Sequence, residues 1–231
     1  MGTGYNFRLG TGYKSKSIAV LLLVLLGLSC APPLALAGNP TAHIAVLGDR
    51  TGGADQEVFD GIIDEITRLH PDILINVGDL IEGPQPDEAA INNEWDVVMS
   101  SMQKLTCPVY YVAGNNDIFS EESRRLFPER SGASPEYSFD FNGIHFLVLD
   151  NSELSSWDEL TDERWKWIEE DLLGAGDAKL KMVFFHKPFW IESFKEGKSG
   201  RMHELFLRNG VDRVFSGHYH RYIASERDGI Q

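Results

Sequence analysis

The sequence predicts an α/β fold with an antiparallel insertion (α+β), and three observations carry that prediction. Five short apolar runs, His43–Leu47, Ile73–Val77, Val109–Ala113, Lys181–Phe185 and Asp212–Phe215, have the length and β-branched content of buried strands. Segments of helical period lie between them, the arrangement of βαβ units with largely parallel strands. One further pair of runs, Tyr137–Phe141 and Ile144–Leu149, flanks Asn142-Gly143, the strongest short signal for a hairpin.

Each element has its local reason. Residues 1–37 read as a secretory signal rather than as fold. Arg8, Lys14 and Lys16 form a positive start without acids, Ile18–Leu28 is continuously apolar, and Ala35-Leu36-Ala37 is a small-x-small cleavage site. The apolar run is shorter than the roughly 20 residues that span a bilayer, so the expectation is export to a periplasm or the extracellular space with no membrane attachment after cleavage. Cys30 offers a lipoprotein anchor instead, but Gly27-Leu28-Ser29 before it fits a lipobox poorly. Residues 38–231 then form one domain.

Val58, Ile62, Ile66 and Leu69 recur at helical spacing, predicting a helix that buries that face. Thr161-Asp162-Glu163 before Trp165, Ile168 and Leu172 gives a capped helix start, and Gly174 its stop. Glu82–Glu88, with Pro84 and Pro86, reads as a loop. Arg221–Glu226 reads as a strand, Arg227-Asp228-Gly229 as a turn and Ile230-Gln231 as the start of a return strand, so the domain reads as cut short at its C-terminus.

Charge and cysteine content narrow the function. The formal charge of −14 falls to −17 once the three cations of residues 1–37 are removed with no acid lost. So acidic a chain is a poor non-specific nucleic-acid binder, and no specific nucleic-acid partner is predicted. A small phosphorylated substrate is not excluded, because bound metal ions reverse the local field. Only Cys107 lies beyond the signal segment, so stability rests on a packed core and not on an internal disulfide.

The chemistry gathers after the five strands. They run into Gly48-Asp49-Arg50-Thr51, Gly78-Asp79-Leu80, Gly114-Asn115-Asn116-Asp117, His186 and Gly217-His218-Tyr219-His220. Carboxyl ends of strands in α/β sheets form the ligand crevice. Any one of these motifs alone reads as a turn or a packed histidine; five at five strand ends read as a site. Asp49, Asp79, Asn115, His186, His218 and His220 offer oxygen and imidazole nitrogen without thiolate, a donor set suited to Fe, Zn, Mn or Ni. Six candidates are too many for one structural zinc and suit two ions sharing a carboxylate.

On these motifs, in this order and spacing, the sequence over roughly residues 42–225 resembles the calcineurin-like metallophosphoesterase family, including its purple-acid-phosphatase-type members. The resemblance implies a four-layer αββα sandwich of two central mixed sheets flanked by helices, and a cofactor of two divalent or trivalent metal ions. It implies that Asp49 and His220 bind the first ion, that Asp79 bridges, and that Asn115, His186 and His218 bind the second. It implies hydrolysis of a phosphomonoester or phosphodiester by dimetal-activated water.

Two positions depart from the family pattern. Thr51 stands where Asp-x-His usually places a histidine on the first ion, leaving Thr51, water or Glu82 to substitute. Asn116 stands where Gly-Asn-His-Asp usually places the phosphate-contacting acid. Asn116 can donate to phosphate, and with Arg50 it forms the expected phosphate contacts, but it carries no acid near neutral pH. The alternative function is therefore an impaired relative that binds metal and a phosphorylated ligand without efficient turnover. Lys187 is a further phosphate candidate. Phe189-Trp190 reads equally as a substrate wall or as core, while Trp157, Trp165 and Trp167 read as packing.

Overall fold

Why the strands pair as they do follows from which faces must be buried. In the computed structural model, which describes residues 21–23 (backbone alone), 42–191 and 200–231, two four-stranded sheets form. The first has the order β1 (Leu21–Leu23), β2 (Ile44–Leu47), β3 (Ile73–Asn76) and β4 (Val109–Tyr110). β1 pairs antiparallel with β2, while β2–β3 and β3–β4 are parallel. The second has the order β5 (Tyr137–Phe141), β6 (Ile144–Val148), β7 (Leu180–Phe184) and β8 (Arg213–Phe215). There the β5–β6 hairpin is antiparallel and β6–β7–β8 are parallel. The remainder of the expected signal segment, with its cleavage site and Cys30, lies outside the described residues.

Strand alternation sorts the apolar side chains into layers. Ile44, Val46, Ile73, Ile75 and Val77 of the first sheet pack on Ile144, Phe146, Val148, Met182 and Phe184 of the second. The alternate residues Ala45, Leu47 and Leu74 face α1 (Gln56–Leu69), α2 (Glu88–Met102) and α3 (Glu121–Ser131), sharing a core with Phe59, Ile63, Trp95 and Phe127. Leu147, Val183 and Phe185 face α4 (Asp162–Gly174) and α5 (Arg201–Arg208) through Trp165, Ile168, Leu205 and Phe206. The expected four layers and two mixed sheets are present.

Several elements form for the reasons the sequence suggested. Asn142 and Gly143 both have positive φ, at 51° and 79°, as a two-residue hairpin turn requires. Thr161 caps α4 by accepting the Arg164 N–H, and Trp165, Ile168 and Leu172 are buried. Trp157 and Trp165 pack in the core and Trp167 packs against it, as expected.

Three expectations are corrected. The buried face of α1 is Phe59, Ile63 and Ile66, not the stripe through Val58, which is 45% exposed. The two stripes share Ile66 and differ by one residue of helical rotation, so spacing alone could not choose between them. The run Val109–Ala113 pairs as a strand over only two residues, because the Val112 N–H bonds the Asn76 side-chain oxygen at 2.9 Å instead of a backbone carbonyl. Arg221–Glu226 is not a strand. The turn after it does form, with an Arg227–Ile230 bridge, and Gln231 then bonds the backbone of Asp212 and Val214 along the free side of β8. Among the described residues no helix is long and apolar enough to cross a membrane.

Candidate metal centre

Five parallel-running strands deliver their carboxyl ends to one rim. Asp49 follows β2, Asp79 follows β3, Asn115 comes after β4, His186 follows β7, and His218 and His220 come after β8. Two overlapping groups of ligand atoms result: Asp79, His186 and His218, and Asp49, Asp79 and His220, each with its atoms within 4.8 Å of one another. Asp79 belongs to both. Asn115 joins the first group, its Oδ1 3.1 Å from His186 Nε2.

The donor chemistry tests whether a metal ion fits. His186 Nδ1 lies 2.8 Å from the Val77 carbonyl oxygen, which can only accept, so Nδ1 carries the hydrogen. Nε2 then faces Asn115 Oδ1 at 3.1 Å and Asp79 Oδ2 at 3.2 Å. Three acceptors that converge need a cation between them, a proton or a metal ion. The second group repeats the pattern, with His220 Nε2 3.4 Å from Asp49 Oδ2. Carboxylate, amide oxygen and imidazole around a shared carboxylate fit two borderline metal ions.

Electrostatics agree with the geometry. Burial pushes the Asp49 carboxyl up, and the neighbouring Asp79 charge adds to the rise against the pull of His186. Burial alone would also raise Asp79, but His186 and the N–H groups of Asn116 hold it below the ordinary carboxylate value. His186 moves the opposite way: burial opposes its charge, yet Asp79 and Asp49 raise it. Burial and the His186 charge lower His218. Two buried carboxylates this close together beside histidines form a site that a cation would neutralise.

The backbone is shaped to this centre. Asp79, His218 and His220 all adopt left-handed conformations, with φ of 58°, 72° and 48°. A Cβ on Gly114 would lie 2.1 Å from Asp79 Oδ1, and one on Gly217 would lie 2.2 Å from Asp49 Oδ1. Only glycine lets the carboxylates approach the neighbouring strand ends so closely.

Two residues that sequence reasoning passed over hold the frame. Asp117, fully buried, accepts the N–H groups of Asp79, Gly114, Leu80 and Ile81. Burial raises its carboxyl to about 6, with the Asp79 charge adding to the rise. Asn151, also fully buried, bonds the backbone of His186 and Lys187. Asp117 was visible as the last residue of its motif. Asn151 was visible as the polar end of a sixth strand, Ile144–Leu149, whose exit was not counted with the other five.

Other expected contacts are redirected. Arg50 does not present its guanidinium to the centre: it donates to the Leu80 carbonyl and Gln56 Oε1 and stacks over the Phe59 ring, 5.4 Å from its centroid. A long side chain finds packing and carbonyl partners behind its own loop. Glu82 accepts the N–H groups of Gly52, Gly53 and Ala54, fastening the first loop. Lys187 Nζ donates to the Leu154 carbonyl at 2.8 Å, and burial lowers its pKa. Trp190 is buried in the core, and Phe189 packs edge-on to Trp157. Asn116 does lie at the centre, its Nδ2 2.7 Å from Asp79 Oδ2 and 3.4 Å from the hydroxyl of buried Thr51. A cavity of about 730 Å³ is lined by Asp49 and His220 together with the apolar Ile44, Val46, Met182 and Phe184.

A family model described as calcineurin-like phosphoesterase matches residues 42–222, from the chain before β2 to just beyond the paired histidines. The chain belongs to the calcineurin-like phosphoesterase family. The chain is 28% identical over 234 residues to purple acid phosphatase 15 of Arabidopsis thaliana, covering 84% of this chain and 43% of the relative. It is 28% identical over 199 residues to serine/threonine-protein phosphatase CPPED1 of Bos taurus, covering 75% of this chain and 63% of that protein. It thus spans roughly half the length of these relatives. Its fold is similar to that of purple acid phosphatase PPD1 from yellow lupin (Lupinus luteus), with a TM-score of 0.53 at 15% identity over 76% of this chain and 37% of that one.

Proposed function

We propose that this protein hydrolyses phosphomonoesters or phosphodiesters at a centre of two metal ions that share Asp79. The observation that carries the reading is the pair of overlapping ligand groups with Asp79 in both. Asp49, Asp79 and His220 would hold one ion, and Asp79, Asn115, His186 and His218 the other. Iron, zinc, manganese and nickel all suit these donors. When bound, two such ions lower the pKa of water and neutralise phosphoryl oxygens.

The chain's own residues set what else the centre does. The Val77 carbonyl fixes the ring orientation and tautomer of His186. Asn116 Nδ2, which donates to Asp79 Oδ2, would donate to a bound phosphate oxygen, and the cavity beside Asp49 and His220 would take the ester's organic group. Neither Asn116 nor Thr51 can protonate a departing alkoxide near neutral pH. Losing general-acid catalysis costs about 10²–10⁴-fold. Esters with acidic leaving groups therefore suit this centre best.

Asn116 also favours a second reading, a protein that binds metal and a phosphorylated ligand without efficient turnover. One assay separates the two: hydrolysis of a nitrophenyl phosphomonoester and a bis-nitrophenyl diester by the full chain, metal-stripped and then supplied with Mn, Zn, Fe or Ni. Metal-dependent turnover supports the enzyme. A folded, metal-loaded chain without turnover supports the binding protein. Export, proposed on the positive start, apolar run and Ala35-Leu36-Ala37 site, is tested by N-terminal sequencing of protein recovered outside the producing cell's cytoplasm; an intact Met1 there would contradict cleavage.

A further inference from the structure

β6 and β7 pair in parallel from Ile144 opposite Leu180 to Val148 opposite Phe184, and the last backbone bond joins the Leu149 N–H to the Phe184 carbonyl at 2.8 Å. Immediately beyond, the chain leaving β6 turns away. Asp150 Oδ1 accepts the Ser152 N–H and hydroxyl, and the Asn151 carbonyl accepts the Leu154 N–H. The departure takes the backbone partner from His186 and Lys187, the segment that carries the imidazole. The Asn151 side chain replaces it. Its Oδ1 accepts the His186 N–H at 3.1 Å and the Lys187 N–H at 3.0 Å, and its Nδ2 donates to the Lys187 carbonyl at 2.8 Å. A carboxamide gripping one residue by both N–H and C=O imitates a neighbouring strand.

We infer that Asn151 is a positioning residue for His186, setting the metal affinity of the Asp79–Asn115–His186–His218 group through the backbone without touching an ion; this rests on the metal reading proposed above. The clamp has a fixed base. Arg124 bonds Asp150 Oδ2 at 2.9 Å, Arg164 donates to the Asp150 carbonyl, and Lys187 Nζ closes back on Leu154. With Nδ1 held by Val77 and the backbone held by Asn151, His186 Nε2 has one direction in which to point. An outer partner of this kind typically changes metal affinity by about 10–100-fold when removed.

The test titrates the metal-stripped full chain with Co(II) and follows visible absorption, which reports ligand geometry, with far-UV circular dichroism as the folding check. Asn151→Ala should weaken Co(II) binding by about 10–100-fold and alter the spectrum. Asn151→Asp keeps the acceptor for both N–H groups but sets a carboxylate oxygen against the Lys187 carbonyl in place of the Nδ2 donor, so it too should weaken Co(II) binding and alter the spectrum. A folded Asn151→Ala protein with wild-type affinity and spectrum would overturn the inference, leaving Asn151 as a loop fastener. If Asn151→Ala does not fold, the Asp variant decides: a folded protein with weakened Co(II) binding and an altered spectrum supports the clamp, and one with wild-type affinity and spectrum overturns it. No Co(II) binding by the wild type would sink the metal reading itself, and this inference with it.

Discussion

Asn116 and Thr51 stand 3.4 Å apart on one side of Asp79, so the two departures from the family pattern are a single local change. Asn116→His restores a proton donor there and should accelerate hydrolysis of alkyl phosphates far more than of nitrophenyl phosphate, by up to about 10²–10⁴-fold. Equal rates on both esters before and after substitution would show that residue 116 does not face the leaving group. Gly114→Ala forces a Cβ into Asp79 Oδ1 and should abolish metal retention after dialysis; retained metal would mean the strand ends yield. The convergence of the six candidates was legible because each is a chemically distinctive residue just past a strand. The direction of Arg50 was not legible, because residue type gives charge but not which way the side chain turns. Asp117 and Asn151 act on backbone N–H groups, a role their sequence neighbours do not advertise.

At the scale of elements, β6 shows how one strand serves both faces. Phe146 points into the layer between the sheets, with ring centroids 4.6 Å from Phe139 and 6.3 Å from Phe184. Phe146→Ala should cost about 3–5 kcal/mol in urea unfolding, and a loss below about 1 kcal/mol would mean the layer repacks. The next side chain back, His145, points the other way, between Asp140 of β5 and Asp171 of α4 at 2.9 and 2.8 Å. Lys181 lies opposite on β7, its ammonium bonded to the Leu172 and Asn209 carbonyls at the ends of α4 and α5. The Asp171 bond raises the His145 pKa above 6.5, with Asp140 adding and burial opposing. Since the folded value is the higher one, this stabilisation is full below the unfolded value and is lost as pH rises through the folded value. The stability gap between wild type and His145→Gln should therefore narrow as pH rises from 6.5; a gap independent of pH would contradict it. Strand positions were legible from apolar runs and the hairpin from Asn142-Gly143, whereas strand length at β4 depended on the distant Asn76 side chain.

For the whole molecule, alternation within the strands dictates two buried faces per sheet, and two such sheets stack with helices outside. The α/β class followed from the order of runs, but the stacking of two sheets came only through family resemblance, because no local pattern says which strands share a sheet. That stacking is what brings Asp49 and Asp79 of one sheet to His186, His218 and His220 of the other. The most direct test of the two-ion centre is a count of tightly held Mn or Zn ions per chain in wild type and Asp79→Asn, by native mass spectrometry of the metal-loaded protein. Two ions in the wild type, falling to one or none in the variant, is the predicted result. A wild type that holds none, or a variant that still holds both, would contradict a centre built around Asp79.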